Sequence, residues 1–124
     1  MKRWLLPTLL AVFGAAAQAA GPVVTTDEVR AELVAHAPEG IAQGKPVWLG
    51  LAIRHAPHWH TYWKNPGDAG MPPAITWELP EGFTIGTTLW PTPERFTLDT
   101  AVGFGYTDEL TLLVEITPPA TFKD

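Results

Sequence analysis

The chain has 124 residues, 13 acidic and 8 basic, a net charge of −5 and no cysteine. The acidic balance excludes the basic footprint of a nucleic-acid binder. The missing thiols exclude cysteine redox, zinc-thiolate and haem-attachment chemistry within these residues.

Taken in order, the chain opens with Lys2 and Arg3, a charge-free apolar and small-residue run, and Ala17-Gln18-Ala19. That is the layout of a secretory signal with a small-x-small cleavage site, so residues 1–19 are expected to be a signal peptide and residues 20–124 one exported domain. A membrane anchor is the other reading. The run is short for a bilayer core that needs roughly 20 apolar residues, and Pro7 interrupts it. Without the first 19 residues, 6 basic side chains face 13 acidic ones. Acids such as Asp27, Glu39, Asp68, Glu94 and Asp108 are scattered, which indicates a solvated surface rather than an acidic tail. A domain of this size supports one modest core, and without disulfides it is held by packing or by a larger neighbour.

Beyond the signal the apolar period is two. Val29, Ala31, Leu33 and Ala35 alternate with Arg30, Glu32 and His36, and Val47, Leu49, Leu51 and Ile53 alternate with Trp48, Gly50 and Arg54. Each is the pattern of a strand with one buried face. Further strands are expected over residues 59–63, 74–79, 83–89, 96–98, 102–106 and 110–117. Turn residues separate them at Pro38-Glu39-Gly40, Asn65-Pro66-Gly67, Pro80-Glu81-Gly82 and Thr107-Asp108-Glu109. Many short strands at such spacing indicate an all-β antiparallel sandwich or barrel. Nothing after the signal sustains a helical period.

The most specific stretch is HWHTYWKNPGDAGMPP, His58 to Pro73. His55, His58 and His60 have the spacing of a possible copper or zinc set, with Met71 as a thioether for Cu(I). Pro57 bends the chain between the first two, which favours solvated histidines at the rim of a sheet. Trp59, Tyr62, Trp63, Trp77 and Trp90 suit an aromatic platform for sugar or peptide, or else a core. Strand alternation places Trp59 and Trp63 on one, buried face and His60 and Tyr62 on the other. Asn65-Pro66-Gly67-Asp68-Ala69-Gly70 lacks the lysine and following helix of a phosphate loop, and reads as a turn in which Gly67 and Gly70 take positive φ and Asp68 caps. No catalytic triad or carboxylate pair stands out.

WHTYWKNPGDAG, ITWELPEGF, LWPTPERF and VGFGYTDELTLLVEITPP occur here in that order. Together they resemble the N-terminal periplasmic domain of the thiol:disulfide interchange protein DsbD, in the branch with copper-sensitivity suppressors, over roughly residues 25–119. The resemblance implies an immunoglobulin-like sandwich in a reductase that takes electrons from a membrane-embedded thiol domain and hands them to periplasmic thiol-disulfide proteins. Copper tolerance or cytochrome c biogenesis is the setting it implies, with the parent anchored in the inner membrane. The family's cysteine pair lies beyond the segment similar to LTLLVEITPP, so the chain is expected to lack that pair and its terminal strand or strands. His60 and Tyr62 match positions beside the pair, and residues 90–101, with Arg95 and Phe96, match the cap that shields it. Phe96 as an ordinary core residue is the alternative. No small-molecule cofactor is implied. A cysteine-free binding module for metal, glycan or peptide, or a structural sandwich domain, remains open beside this reading.

Overall fold

A computed structural model describes residues 18–123, with side chains from Pro22 onward. Among the described residues there is no helix, and none therefore long and apolar enough to cross a membrane. The elements are β1 (Gln18–Thr25), β2 (Val29–His36), β3 (Val47–His55), β4 (Thr61–Gly67), β5 (Thr84–Ile85), β6 (Glu94–Leu98), β7 (Ala101–Tyr106) and β8 (Glu109–Thr117). They form two antiparallel sheets, ordered β1-β2-β3-β8-β5 and β4-β7-β6. The fold is the expected all-β, immunoglobulin-like sandwich.

The register explains the core. Ala35 pairs with Leu49, which pairs with Val114, and Leu33 pairs with Leu51, which pairs with Leu112. Directly opposite residues share a face, so the alternating apolar sets of β2, β3 and β8 line up in rows on one side of the five-stranded sheet. Leu49, Leu112, Val114 and Ile116 are at most 1% exposed. Burying each such side chain stabilises the fold by about 1.5–3 kcal/mol. Two clusters result. Ala35, Ala37, Val47, Leu49, Val114 and Ile116 take Trp77, Leu79, Phe83 and Ile41 against them at one end of the sandwich. Tyr106, Leu110 and Leu112 take Ile53, Trp63, Ile75 and Trp90 at the other.

Several expectations need correction. The strand expected over residues 59–63 starts at Thr61 and runs on through Asn65, Pro66 and Gly67, which were expected to be a turn. Tyr62 pairs with Gly105 and Gly67 with Gly103, so Trp63, Lys64, Asn65 and Pro66 stand opposite Phe104 alone. A wide bulge of this kind suits proline, which has no amide proton for the ladder. Residues 83–89 contribute only β5 and a bridge from Leu89 to Leu113. Residues 74–79 keep the strand alternation, with Ile75, Trp77 and Leu79 half-buried and Ala74, Thr76 and Glu78 exposed, but no strand forms there. No backbone hydrogen bond joins these six residues to any described neighbour. The period of the sequence reports which side chains face a core, and here that condition is met without a ladder. β1 begins within the segment assigned to the signal peptide, the rest of which lies outside the described residues.

Candidate functional site

The sandwich has an inner and an outer side at the three-stranded sheet, and the sequence of β7, Ala101-Val102-Gly103-Phe104-Gly105-Tyr106, divides them. Phe104 and Tyr106 face inward. Phe104 meets Trp63 edge-on at 6.2 Å, and Tyr106 is 4% exposed in the core with its hydroxyl donating to the Pro91 carbonyl at 2.8 Å. Burial pushes the Tyr106 phenol above its ordinary pKa.

Gly103 and Gly105 face outward, yet both are buried, because aromatic rings from the two flanking strands lie over them. A Cβ on Gly103 would come within 3.3 Å of Tyr62 Cε1, and one on Gly105 within 3.0 Å of Phe96 Cε2. Tyr62 is paired with Gly105 and Phe96 with Gly103, so each ring reaches diagonally over the glycine of the other row. Without side chains on those two positions the rings pack against bare strand. His60 completes the cluster. Its ring meets Tyr62 edge-on at 4.8 Å and Phe96 at 5.0 Å in a tilted contact. All three are half-buried, so the cluster presents a partly open aromatic surface.

Of the residues singled out in the sequence, His60, Tyr62 and Phe96 are thus brought together. Phe96 belongs to neither core cluster, which argues against the ordinary core role. Arg95 is not part of the group: it pairs with Phe104 and therefore leaves β6 on the opposite side from Phe96, exposed. Trp63 lies inward as expected, but Trp59 does not join it and is 50% exposed. The chain turns at Pro57-His58, where His58 has φ 72° and the Trp59 amide donates to the Ala56 carbonyl at 3.0 Å, so the strand alternation begins only after Trp59.

The three histidines are not gathered into a ligand set. His55 is 8% exposed rather than at a solvated rim, and its Nδ1 lies 3.0 Å from the Asp108 carbonyl oxygen. A carbonyl only accepts, so Nδ1 carries the proton and Nε2 accepts from the Thr61 hydroxyl. Both ring nitrogens are occupied, Nδ1 in joining the end of β3 to the β7–β8 connection and Nε2 in joining it to the start of β4, while His58 is exposed in the turn and His60 lies between the Tyr62 and Phe96 rings. Among the described residues no cluster of three or more His, Asp or Glu side chains has metal-binding geometry. Met71 is 82% exposed.

The end of β4 and the loop after it have the expected positive φ at Gly67 (92°) and Gly70 (103°). Asp68 does not cap its own turn. Its amide donates to the Val102 carbonyl and its Oδ2 accepts from the Val102 amide, both at 2.8 Å, so it ties the loop to β7. Asn65 is exposed on the bulge and Pro66 half-buried. A separate open groove of about 620 Å³ is lined by Trp63, Lys64, Trp90 and the Thr87 to Pro93 segment, with the Lys64 ammonium 6.0 Å from the Trp63 ring centre.

Sequence reasoning missed Gly103 and Gly105, and the signal was present: alternate glycines inside a strand mark close approach by another group. It also missed the bond of Glu94 Oε2 with the Thr107 amide and hydroxyl, at 3.1 and 2.8 Å, which anchors the start of β6 to the β7–β8 connection.

The comparisons bear on this geometry. No curated protein sequence matches the chain significantly. The solved N-terminal periplasmic domain of ScsB from Proteus mirabilis is similar in fold, with a TM-score of 0.63 and 24% identity over 85% of this chain. The chain spans 40% of that solved chain. A family model, that of the N-terminal domain of thiol:disulfide interchange protein DsbD, matches residues 28–123. That span holds β2 to β8 and every residue of the aromatic cluster, and the chain belongs to the DsbD N-terminal domain family.

Proposed function

We propose that the chain is an exported, periplasmic module of a DsbD-like thiol:disulfide reductase that relays electrons from a membrane-embedded thiol domain of the same parent to periplasmic thiol-disulfide proteins. The chain has no cysteine, so the redox pair belongs to another segment of the parent. In the relay, a thiolate of a reduced pair attacks the partner's disulfide and a mixed disulfide forms. The second thiolate of the pair resolves it; two electrons pass, the pair becomes a disulfide and the partner leaves as a dithiol.

The observation that carries this reading is the half-open cluster of His60, Tyr62 and Phe96 on the outer face of the three-stranded sheet. Thiol exchange needs in-line approach of a thiolate to sulfur, so aromatic side chains beside a cysteine pair control which thiols reach it. Among the described residues β4 pairs only with β7, so its other edge offers ladder positions to a cysteine-bearing strand beside Thr61 and Tyr62. His60 and Tyr62 then form the wall of the thiol site and Phe96 its cover; Arg95, on the other side of β6, has no part in it.

The test is the parent polypeptide with its cysteine pair. Phe96→Ala should raise exchange with unrelated small thiols, and an unchanged rate overturns the cover role. A second reading, a glycan- or peptide-binding module, is favoured by the groove between Trp63 and Trp90. Quenching of tryptophan fluorescence by oligosaccharides or extended peptides, lost in Trp90→Ala, supports that reading, and no quenching removes it.

A further inference from the structure

The NPGDAG segment is too elaborate for a bare turn. Gly67 pairs with Gly103 at a positive φ, and a Cβ there would overlap the Val102 carbonyl. Asp68 is then locked to Val102 through both its amide and its carboxylate. Two residues later Gly70 lies across the face of the Tyr62 ring, where any Cβ would overlap the ring atoms. Tyr62 Cε1 in turn abuts Gly103. The carbonyls of Pro66 and Ala69 are also close, 3.4 and 3.9 Å from where a Gly103 Cβ would sit.

We propose that this loop is a clamp that positions Tyr62. Gly70 and Gly103 give the ring a seat without side chains, and the Asp68–Val102 pair of bonds holds the loop closed over it. Phe96 has no such strap. It extends from β6, an edge strand whose other residues are exposed, and rests on His60 and Gly105. The cluster therefore has one ring seated under a loop and one that extends from an edge strand. Resting on the proposed thiol site, this assigns Tyr62 as its rigid wall, with Asp68, Gly70 and Gly103 as positioning residues.

The chain has two tyrosines, Tyr62 and Tyr106, so ring-labelled tyrosine gives two sets of resonances, with buried Tyr106 as the internal control. Asp68→Ala should move the Tyr62 resonance toward free tyrosine while Tyr106 stays. Asp68→Asn, which keeps an oxygen acceptor, should retain the wild-type position. Gly103→Ala should shift Tyr62 without opening the loop. The clamp is overturned if Tyr62 is unmoved in both Asp68→Ala and Gly103→Ala, if both tyrosines move together, or if Asp68→Asn behaves as Asp68→Ala. These outcomes do not depend on redox chemistry. If the spectra behave as expected but Phe96→Ala leaves thiol exchange in the parent unchanged, the clamp stands and the cover role fails.

Discussion

His55 is the side chain through which the two sheets are joined at one end. The Asp108 carbonyl it bonds also accepts from the His55 amide at 2.7 Å, so a single residue secures the β7–β8 connection twice. In His55→Ala the Thr61 hydroxyl loses its acceptor and the Asp108 carbonyl keeps only its bond from the backbone amide, a cost of about 1–3 kcal/mol in this nearly dry site. Urea unfolding should show a lower midpoint with an unchanged slope. Tyr106 gives a pH dependence. Its folded pKa lies above the ordinary 10.0, so the folded state holds the proton longer than the unfolded chain. The stability this contributes is complete below about pH 10 and is lost as pH rises through the folded value. Tyr106→Phe should cost about 1 kcal/mol at neutral pH through the lost bond to Pro91, and it should flatten the alkaline fall seen in a series of melts.

At the scale of elements, residues 74–79 separate two properties that usually travel together. Trp77 and Leu79 are packed against the core, yet the backbone between them has no ladder partner among the described residues. Hydrogen exchange should find these amides fast and those of β3 and β8 slow. Trp77→Ala should still destabilise by an amount near the low end of about 3–5 kcal/mol, since the loss is in packing. This segment also shows how far the sequence could be read. β2, β3 and β8 were legible because their alternation coincides with pairing in the centre of a sheet. The alternation of residues 74–79 was equally clear and misleading about pairing, because hydrogen bonding leaves no mark on side-chain period. The bulge in β4 was hidden for a related reason, as Asn65-Pro66-Gly67 satisfies turn chemistry and bulge chemistry alike. Of the site, the sequence showed His60, Tyr62 and Phe96 but not the glycines beneath them, and it placed Arg95 with Phe96 although adjacent strand residues point apart.

At the scale of the molecule, five strands face three among the described residues, and β1 is one of the two edges of the five. Gln18 and Ala19 pair with His36 and Ala35, and Ala20, Val23, Val24 and Thr25 continue the ladder after a register shift. Signal cleavage after Ala19 would remove the first two of these pairings and leave the other four. On the proposed export and cleavage, N-terminal sequencing of the mature chain should begin at Ala20, and a start at Met1 would contradict cleavage. At the far end of the chain, Pro118 is fully buried and its carbonyl accepts from the Gly44 amide at 3.2 Å. Pro119 sits against Gly82, Phe122 meets Phe83 edge-on at 5.7 Å, and Gln43 Nε2 donates to the Phe122 carbonyl at 2.8 Å. These contacts nail the exit of the chain to the pole where β8 finishes, whereas His60 adjoins Thr61 at the pole where β8 begins. The nine residues of β8 set that separation at roughly 25–30 Å. Phe122 is thus a fixed point of departure. Any polypeptide joined after Asp124 needs about eight extended residues before it can touch the aromatic face, so the length of that stretch acts as a ruler for which attached parts can reach it.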